Sequence, residues 1–221
     1  MMKNLTKKEW GIWISSLLVI ATANILSGNF DLLTLAASCI GATSLMLAAK
    51  GNVWSQVLMT VFSILYGIIS WQFRYWGEMI TYLGMTMPMA IWSTITWIKN
   101  PSESGREVEI QKLTKKHVVM LVISGAVVTT IFGWILRALN TPNIVFSTVS
   151  VTTSFFAAAL TMLRSSYYAA WYAANDIILI VLWTLAALQN PVYISVIVIF
   201  TIFLFYDIYG FINWKKRERA M

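Results

Sequence analysis

Eight stretches of mostly apolar residues constrain this chain more than anything else in it. They cover approximately residues 10–26, 32–49, 54–72, 79–98, 118–139, 144–163, 169–188 and 193–214. An α-helix of roughly 20 residues crosses the ~30 Å hydrocarbon core of a bilayer. Backbone groups in lipid must be satisfied within the segment, and no stretch shows the alternation of a membrane β-strand, so these are predicted helices. The first stretch is too long for a signal peptide, and no small-x-small cleavage site follows it cleanly. Seven spans is the competing count, because that first stretch is short and contains Asn24. Composition agrees with a membrane protein: 58% of residues are apolar and 11% charged, against about 25% charged in soluble domains. Mean hydropathy is +0.71. A disordered chain, a disulfide scaffold and nearly any soluble enzyme are excluded.

The basic residues report orientation. With eight spans, one side holds Lys3, Lys7, Lys8, Lys50, Lys99, Arg106, Lys112, Lys115, Lys116, Arg164, Lys215, Lys216, Arg217 and Arg219, and the other only Arg74 and Arg137. This split places both termini in the cytoplasm and favours eight spans over seven, which would put Lys215 to Arg219 outside. The net charge of +7 therefore reflects topology anchors, and a nucleic-acid partner is rejected. Residues 100–117 form the one long polar connection and read as a solvated cytoplasmic linker, with His117 at the entrance to the fifth span.

The linker suggests a duplication. At an ungapped offset of 117 residues, Trp54 falls on Trp171, Gln72 on Gln189, Trp97 on Trp214 and Lys99 on Lys216. Spans two to four match six to eight, and the first does not match the fifth. The expected fold is all-α: an N-terminal helix (1–30), a three-helix unit (31–100), the linker and a linking helix (101–142), a second three-helix unit (143–216) and a short tail (217–221). Units that begin four spans apart share an orientation, one of the duplicated plans of secondary transporters, in which the substrate site lies near mid-membrane between the repeats.

Ionisable groups at membrane depth are costly and imply a function or a buried partner. Asp176 and Asp207 lie well inside spans, and Glu78 sits at the outer end of the fourth. Glu78, Tyr82, Met85, Met89 and Trp92 recur at helical spacing and form a stripe interrupted by Pro88, which is expected to kink the helix. Trp171 and Asn175 share a face of the seventh span, as do Asp176 and Trp183. Phe203, Asp207, Gly210 and Trp214 share a face of the eighth, with Tyr206 and Tyr209 alongside. Trp10, Trp54, Trp76, Trp97 and Trp214 lie near span ends and read as interfacial belt residues. Trp92, Trp171 and Trp183 are site residues or packing. Asn175, Asp176 and Asp207 are site residues or interhelical hydrogen-bond partners. Aromatic faces with an amide and carboxylates suit a flat cationic heteroaromatic ring bearing hydroxyls. No phosphate loop, arginine cluster or metal-ligand spacing is present, and no cofactor is called for.

These residues carry a family resemblance. Residues 75–89, reading Tyr-Trp-Gly-Glu-Met-Ile-Thr-Tyr-Leu-Gly-Met-Thr-Met-Pro-Met, resemble the PnuC nicotinamide riboside transporters, especially their Gram-positive branch. So do residues 97–101, 171–183 and 207–214 (Asp-Ile-Tyr-Gly-Phe-Ile-Asn-Trp). The resemblance implies a plasma-membrane uniporter, related in plan to SWEET sugar carriers, that moves nicotinamide riboside by facilitated diffusion. A cytoplasmic kinase would trap the product as its phosphate, and the carrier would form homo-oligomers within membrane lipid. Some relatives carry thiamine or riboflavin, and many have Asn where Tyr206 precedes the acid here. On this reading Trp171, Trp183 and Tyr209 form aromatic walls. Asn175, Asp176 and Asp207 read the amide and ribose, and Tyr66, Glu78, Tyr82 and Trp92 contribute from the first unit. The alternatives are the same fold carrying another vitamin, a membrane enzyme or a structural subunit.

Overall fold

The computed structural model describes residues 5–27, 30–72, 76–103, 105 and 107–221. The anchors Lys3, Arg74 and Arg106, and Tyr75 at the start of the family-like stretch, lie outside the described residues. Helices α1 (Lys7–Leu26), α2 (Leu32–Ala49), α3 (Trp54–Gln72), α6 (Lys115–Ala138), α7 (Ile144–Met162), α8 (Tyr168–Ala187) and α9 (Ile194–Ala220) are each long and apolar enough to cross a membrane. Local chemistry sets their starts. Thr6 and Glu9 form a reciprocal capping box on α1, Asp31 caps α2 through the amides of Leu33 and Thr34, and Thr114 pairs with His117 to cap α6. His117 thus has a structural partner at the helix entrance.

The fourth expected span is not one regular helix. It runs as α4 (Trp76–Thr81), a π turn at Tyr82–Thr86 and α5 (Met87–Lys99). The Met87 amide donates to the Tyr82 carbonyl, five residues back. Pro88 follows at once; it brings no N–H, and its ring clashes with the carbonyl four residues back in a regular helix. The wider turn places that conflict in a π bulge, a known site of bending.

The helices pack as two bundles joined along a seam. α2 packs on α3 and α9, α3 on α5, α5 on α7, α7 on α8, and α8 on α9; α1 lies against α2 and α9, and α6 against α7. At the lysine-rich end the seam carries a reciprocal contact. Trp97 of α5 donates its indole N–H to the Thr161 carbonyl in the last turn of α7 (2.9 Å), and Trp214 of α9 donates to the Ala48 carbonyl in the last turn of α2 (2.9 Å). The two rings lie 5.6 Å apart and are 2% and 0% exposed. These tryptophans are therefore core clamps, correcting the belt expectation for both, whereas Trp10 and Trp54 are exposed as expected.

The connections after α2 and α7 repeat the same hydrogen bonds: Gly51 to Ala48 and Asn52 to Leu47 in one, Arg164 to Thr161 and Ser165 to Leu160 in the other. Gly51 and Arg164 both take left-handed backbone, with φ of 68° and 54°. These pairs are 113 residues apart, whereas Trp97 and Trp214 are 117 apart. The ungapped match of Trp54 to Trp171 is thus displaced by one helical turn, because the second unit carries four more residues before its tryptophan clamp.

The polar connection is not a freely solvated linker. Val108 donates its amide to the Gly51 carbonyl (2.9 Å), and Gln111 donates to the Arg164 carbonyl (3.0 Å). Arg217 pairs with Glu107 (2.9 Å) and donates to the Val108 carbonyl (2.7 Å). Val108 and Ile110 are buried in the cluster that holds Trp97, Trp214 and Leu121. The segment straps both repeated connections together. Gly51 takes left-handed backbone, where any side chain is strained, and a Cβ there would also push the Arg217 guanidinium aside, at 2.5 Å. Val108→Asp places a charge in this cluster and is expected to lower unfolding stability in detergent by about 2–4 kcal/mol. Glu103→Ala, on the same connection, should leave the thermal midpoint unchanged; equal tolerance of both would return the segment to a solvated linker.

Candidate functional site

Four of the ten expected site residues meet at one small cavity deep in the bundle. Tyr82 from the π turn, Asn175 and Asp176 from α8 and Asp207 from α9 line about 30 Å³ of space, with Thr86, Ser154 and Tyr172 completing the polar wall. All three of Asn175, Asp176 and Asp207 are buried. The Asn175 carbonyl oxygen accepts from Thr153 (2.8 Å) and Ser150 (3.2 Å) of α7, which fixes the amide's orientation. Asp176 and Asp207 are in hydrogen-bonding contact across the α8–α9 interface. Oδ2 of Asp176 is buried with no hydrogen-bond partner.

Two further spaces lead from this cavity toward the end opposite the lysines. A second cavity of about 80 Å³ is lined by Asn24, Asp31, Ser38, Tyr66, Ser70 and Trp183, among others. Phe62, Phe200 and Phe203 line both cavities and form the partition between them. Their rings pack edge to face, with Phe62–Phe203 at 6.0 Å and Phe200–Phe203 at 5.7 Å. Beyond lies an open vestibule of about 620 Å³ that includes Glu78, Thr81, Gln189 and the 140–143 connection. Trp183 and Tyr193, with ring centroids 5.4 Å apart, border both the vestibule and the second cavity. Toward the lysine-rich end, the Trp97–Trp214 pair, Tyr168 and the docked strap occupy the space.

Tyr66, Trp183 and Glu78 thus lie along the path rather than at its deepest point. Tyr66, on the second cavity, packs against Tyr82, on the first, with ring centroids 4.5 Å apart and the planes tilted by 52°. The remaining three expected residues are elsewhere. Tyr209 is two residues from Asp207, about 200° around a helix, and donates to the Glu9 carboxylate, which also pairs with Lys50 (2.9 Å); it fastens α1 to α9. Trp171 shares a face with Asn175 but sits one turn nearer the lysine-rich end, against Phe156 at 4.6 Å. Trp92 is 58% exposed on the outer surface. The stripe from Glu78 to Trp92 assumed a regular helix, and the π turn rotates everything after it, so α5 instead buries Ala90, Ser93 and Trp97. Of the phenylalanine partition only Phe203 was placed beforehand, on the Asp207 face; Phe62, Phe200 and the α7 hydroxyls were missed. Ser150, Thr153 and Ser154 crowd within five residues of an apolar span, which is a readable signal of a polar face.

A family model described as nicotinamide mononucleotide transporter matches residues 31–216. The chain belongs to the PnuC transporter family. A nicotinamide riboside transporter PnuC from Neisseria mucosa is 24% identical over 93% of this chain and 80% of its own length. One from Haemophilus influenzae is 25% identical over 80% of this chain and 76% of its own. A crystal structure of the vitamin B3 transporter PnuC superposes with a TM-score of 0.82 at 23% identity, covering 96% of this chain and 92% of that one. The all-helical membrane fold is thus that of PnuC, and the family is one of transporters rather than enzymes.

Asn175→Leu removes the acceptor shared by Ser150 and Thr153. It is expected to cost about 1–2 kcal/mol of stability, measured by thermal unfolding in detergent, with Ser150→Ala recovering part of that loss in the double variant.

Proposed function

We propose that this chain is a uniporter for nicotinamide riboside. The observation that carries the reading is the charge of the path. Among the described residues that line the vestibule and both cavities there is no Lys, Arg or His, while Glu78, Asp31, Asp176 and Asp207 all lie along it. A permanently cationic pyridinium ring is favoured in such a field, and aromatic faces hold it. A phosphate group has no cationic partner there and would face carboxylates at low dielectric. That asymmetry selects the riboside over the mononucleotide.

The central cavity is about 30 Å³, roughly tenfold below the ~300–1,000 Å³ of ligand pockets. The conformation is therefore closed, and substrate entry needs the bundles to part. We read the chain as eight crossings in a three-plus-one-plus-three plan, with α1 added before it and the lysine-rich end in the cytoplasm. The Pro88 bulge and the partition of Phe62, Phe200 and Phe203 would yield as one unit rocks on the other. Facilitated diffusion only equalises concentrations; phosphorylation by a cytoplasmic kinase makes the product an anion that this path rejects, and uptake becomes one-way. The same reading places homo-oligomers in the plasma membrane.

Counterflow in proteoliposomes tests it. Labelled nicotinamide riboside is expected to exchange without an ion gradient, unlabelled mononucleotide to compete at least tenfold less well, and Asp207→Asn to slow exchange about tenfold or more in protein of unchanged thermal midpoint. Preferred exchange of the mononucleotide, or of thiamine or riboflavin, would contradict the assignment.

A further inference from the structure

Helix α1 precedes the matched stretch, which begins at residue 31, yet its far end reaches the substrate path. Asn24 is 6% exposed and lines the second cavity. Its Nδ2 donates to the Asp31 carbonyl (3.3 Å), so the amide is held from one side only. Its Oδ1 is buried and, among the described residues, accepts no hydrogen bond. The neighbouring Ser27 hydroxyl donates to the Asn24 backbone carbonyl (2.7 Å) instead. A buried acceptor left without a donor is destabilising, so something with a hydroxyl or N–H completes this site.

The rest of the cavity wall narrows what that is. Ser38 spends its proton on the Thr34 carbonyl (2.7 Å) and presents lone pairs. Asp31 is an anion that caps α2: burial alone would raise its carboxyl, but hydrogen bonds from Thr34 and Leu33 outweigh this and hold it below the usual range. Asn24, Ser38 and Asp31 therefore present acceptors to one space. Acceptors suit a donor-rich, uncharged group such as a vicinal diol. This cavity and the carboxylate cavity share the partition of Phe62, Phe200 and Phe203.

We propose that the second cavity is a ribose subsite and that Asn24 is its specificity-determining residue. The cationic ring sits at Asp176 and Asp207, the partition swings aside, and a sugar hydroxyl donates to Asn24 Oδ1. The N-terminal helix thereby takes part in substrate selection. This rests on the transport reading above, and the test separates the two.

Affinity of the purified protein is measured by calorimetry for nicotinamide riboside and for 1-methylnicotinamide, methylated on the ring nitrogen and so a cation of the same ring without the sugar. Wild type is expected to bind the riboside more tightly. Asn24→Leu should weaken the riboside about tenfold and leave 1-methylnicotinamide unchanged. Asn24→Asp, which keeps an acceptor oxygen, should retain the preference, and Asn24→Ser, which is too short, should lose it. The last two decide the matter if the leucine variant fails to fold. Full riboside affinity in both Asn24→Leu and Asn24→Ser overturns the subsite while the transport reading stands. Equal loss for both ligands makes Asn24 a structural residue and also overturns it. No riboside binding by wild type ends both.

Discussion

The reciprocal clamp of Trp97 and Trp214 is the contact on which the arrangement depends. Each indole reaches from the last helix of one bundle to a last-turn carbonyl of the first helix in the other. A bilayer offers no hydrophobic force to press helices together, so close packing and directed hydrogen bonds must do it. Both bonds sit at one end, with the rings in contact and the strap of residues 107–111 tied across them. The seam is thereby sealed at the lysine-rich end, while the cavities and vestibule lie toward the other. A bundle closed at one end and hollow toward the other is the geometry from which alternating access can start.

Charge placement separates scaffold from path. Cations are held outside the lining. Lys50 pairs with Glu9 beneath α1, Arg217 covers Trp214 and pairs with Glu107, and Arg164 binds Gln111. The acids on the path lack such partners from the lining residues. Asp176 and Asp207 meet only each other and neutral groups in their cavity. On the proposed reading this site favours a cation, and in the empty state it holds two carboxyl groups in contact away from water, an arrangement that is costly when both are charged.

Much of this was legible in the sequence because lipid is a strict solvent. The span positions, the sidedness of the basic residues and the rarity of Asp176 and Asp207 within apolar stretches all follow from the cost of polar groups in hydrocarbon. That rarity singled out Asp176 and Asp207, and helical spacing added Asn175 and Tyr82; the structure brings all four to one cavity. The failures share one cause: periodicity locates a face but not what it meets. Tyr209 was grouped with Asp207 by proximity in sequence and turns to Glu9. Trp92 was placed by a regular stripe that the π turn breaks. Trp97 and Trp214 look like belt residues from their positions alone, since a tertiary acceptor on another helix leaves no local trace. Phe62 and Phe200 of the partition were invisible for the opposite reason, being apolar residues in apolar spans; Phe203 showed only because it shares a face with Asp207.

The central claim is a closed cavity that opens to each side in turn. Cys39 is the single cysteine, so Ser154→Cys in a Cys39→Ala background puts one thiol on the cavity wall. Modification by a membrane-impermeant thiol reagent, applied from either face of sealed vesicles, reads its access directly. Slow labelling from both faces, suppressed by saturating nicotinamide riboside, is the predicted result. Labelling from neither face, or at a rate indifferent to the substrate, would contradict it.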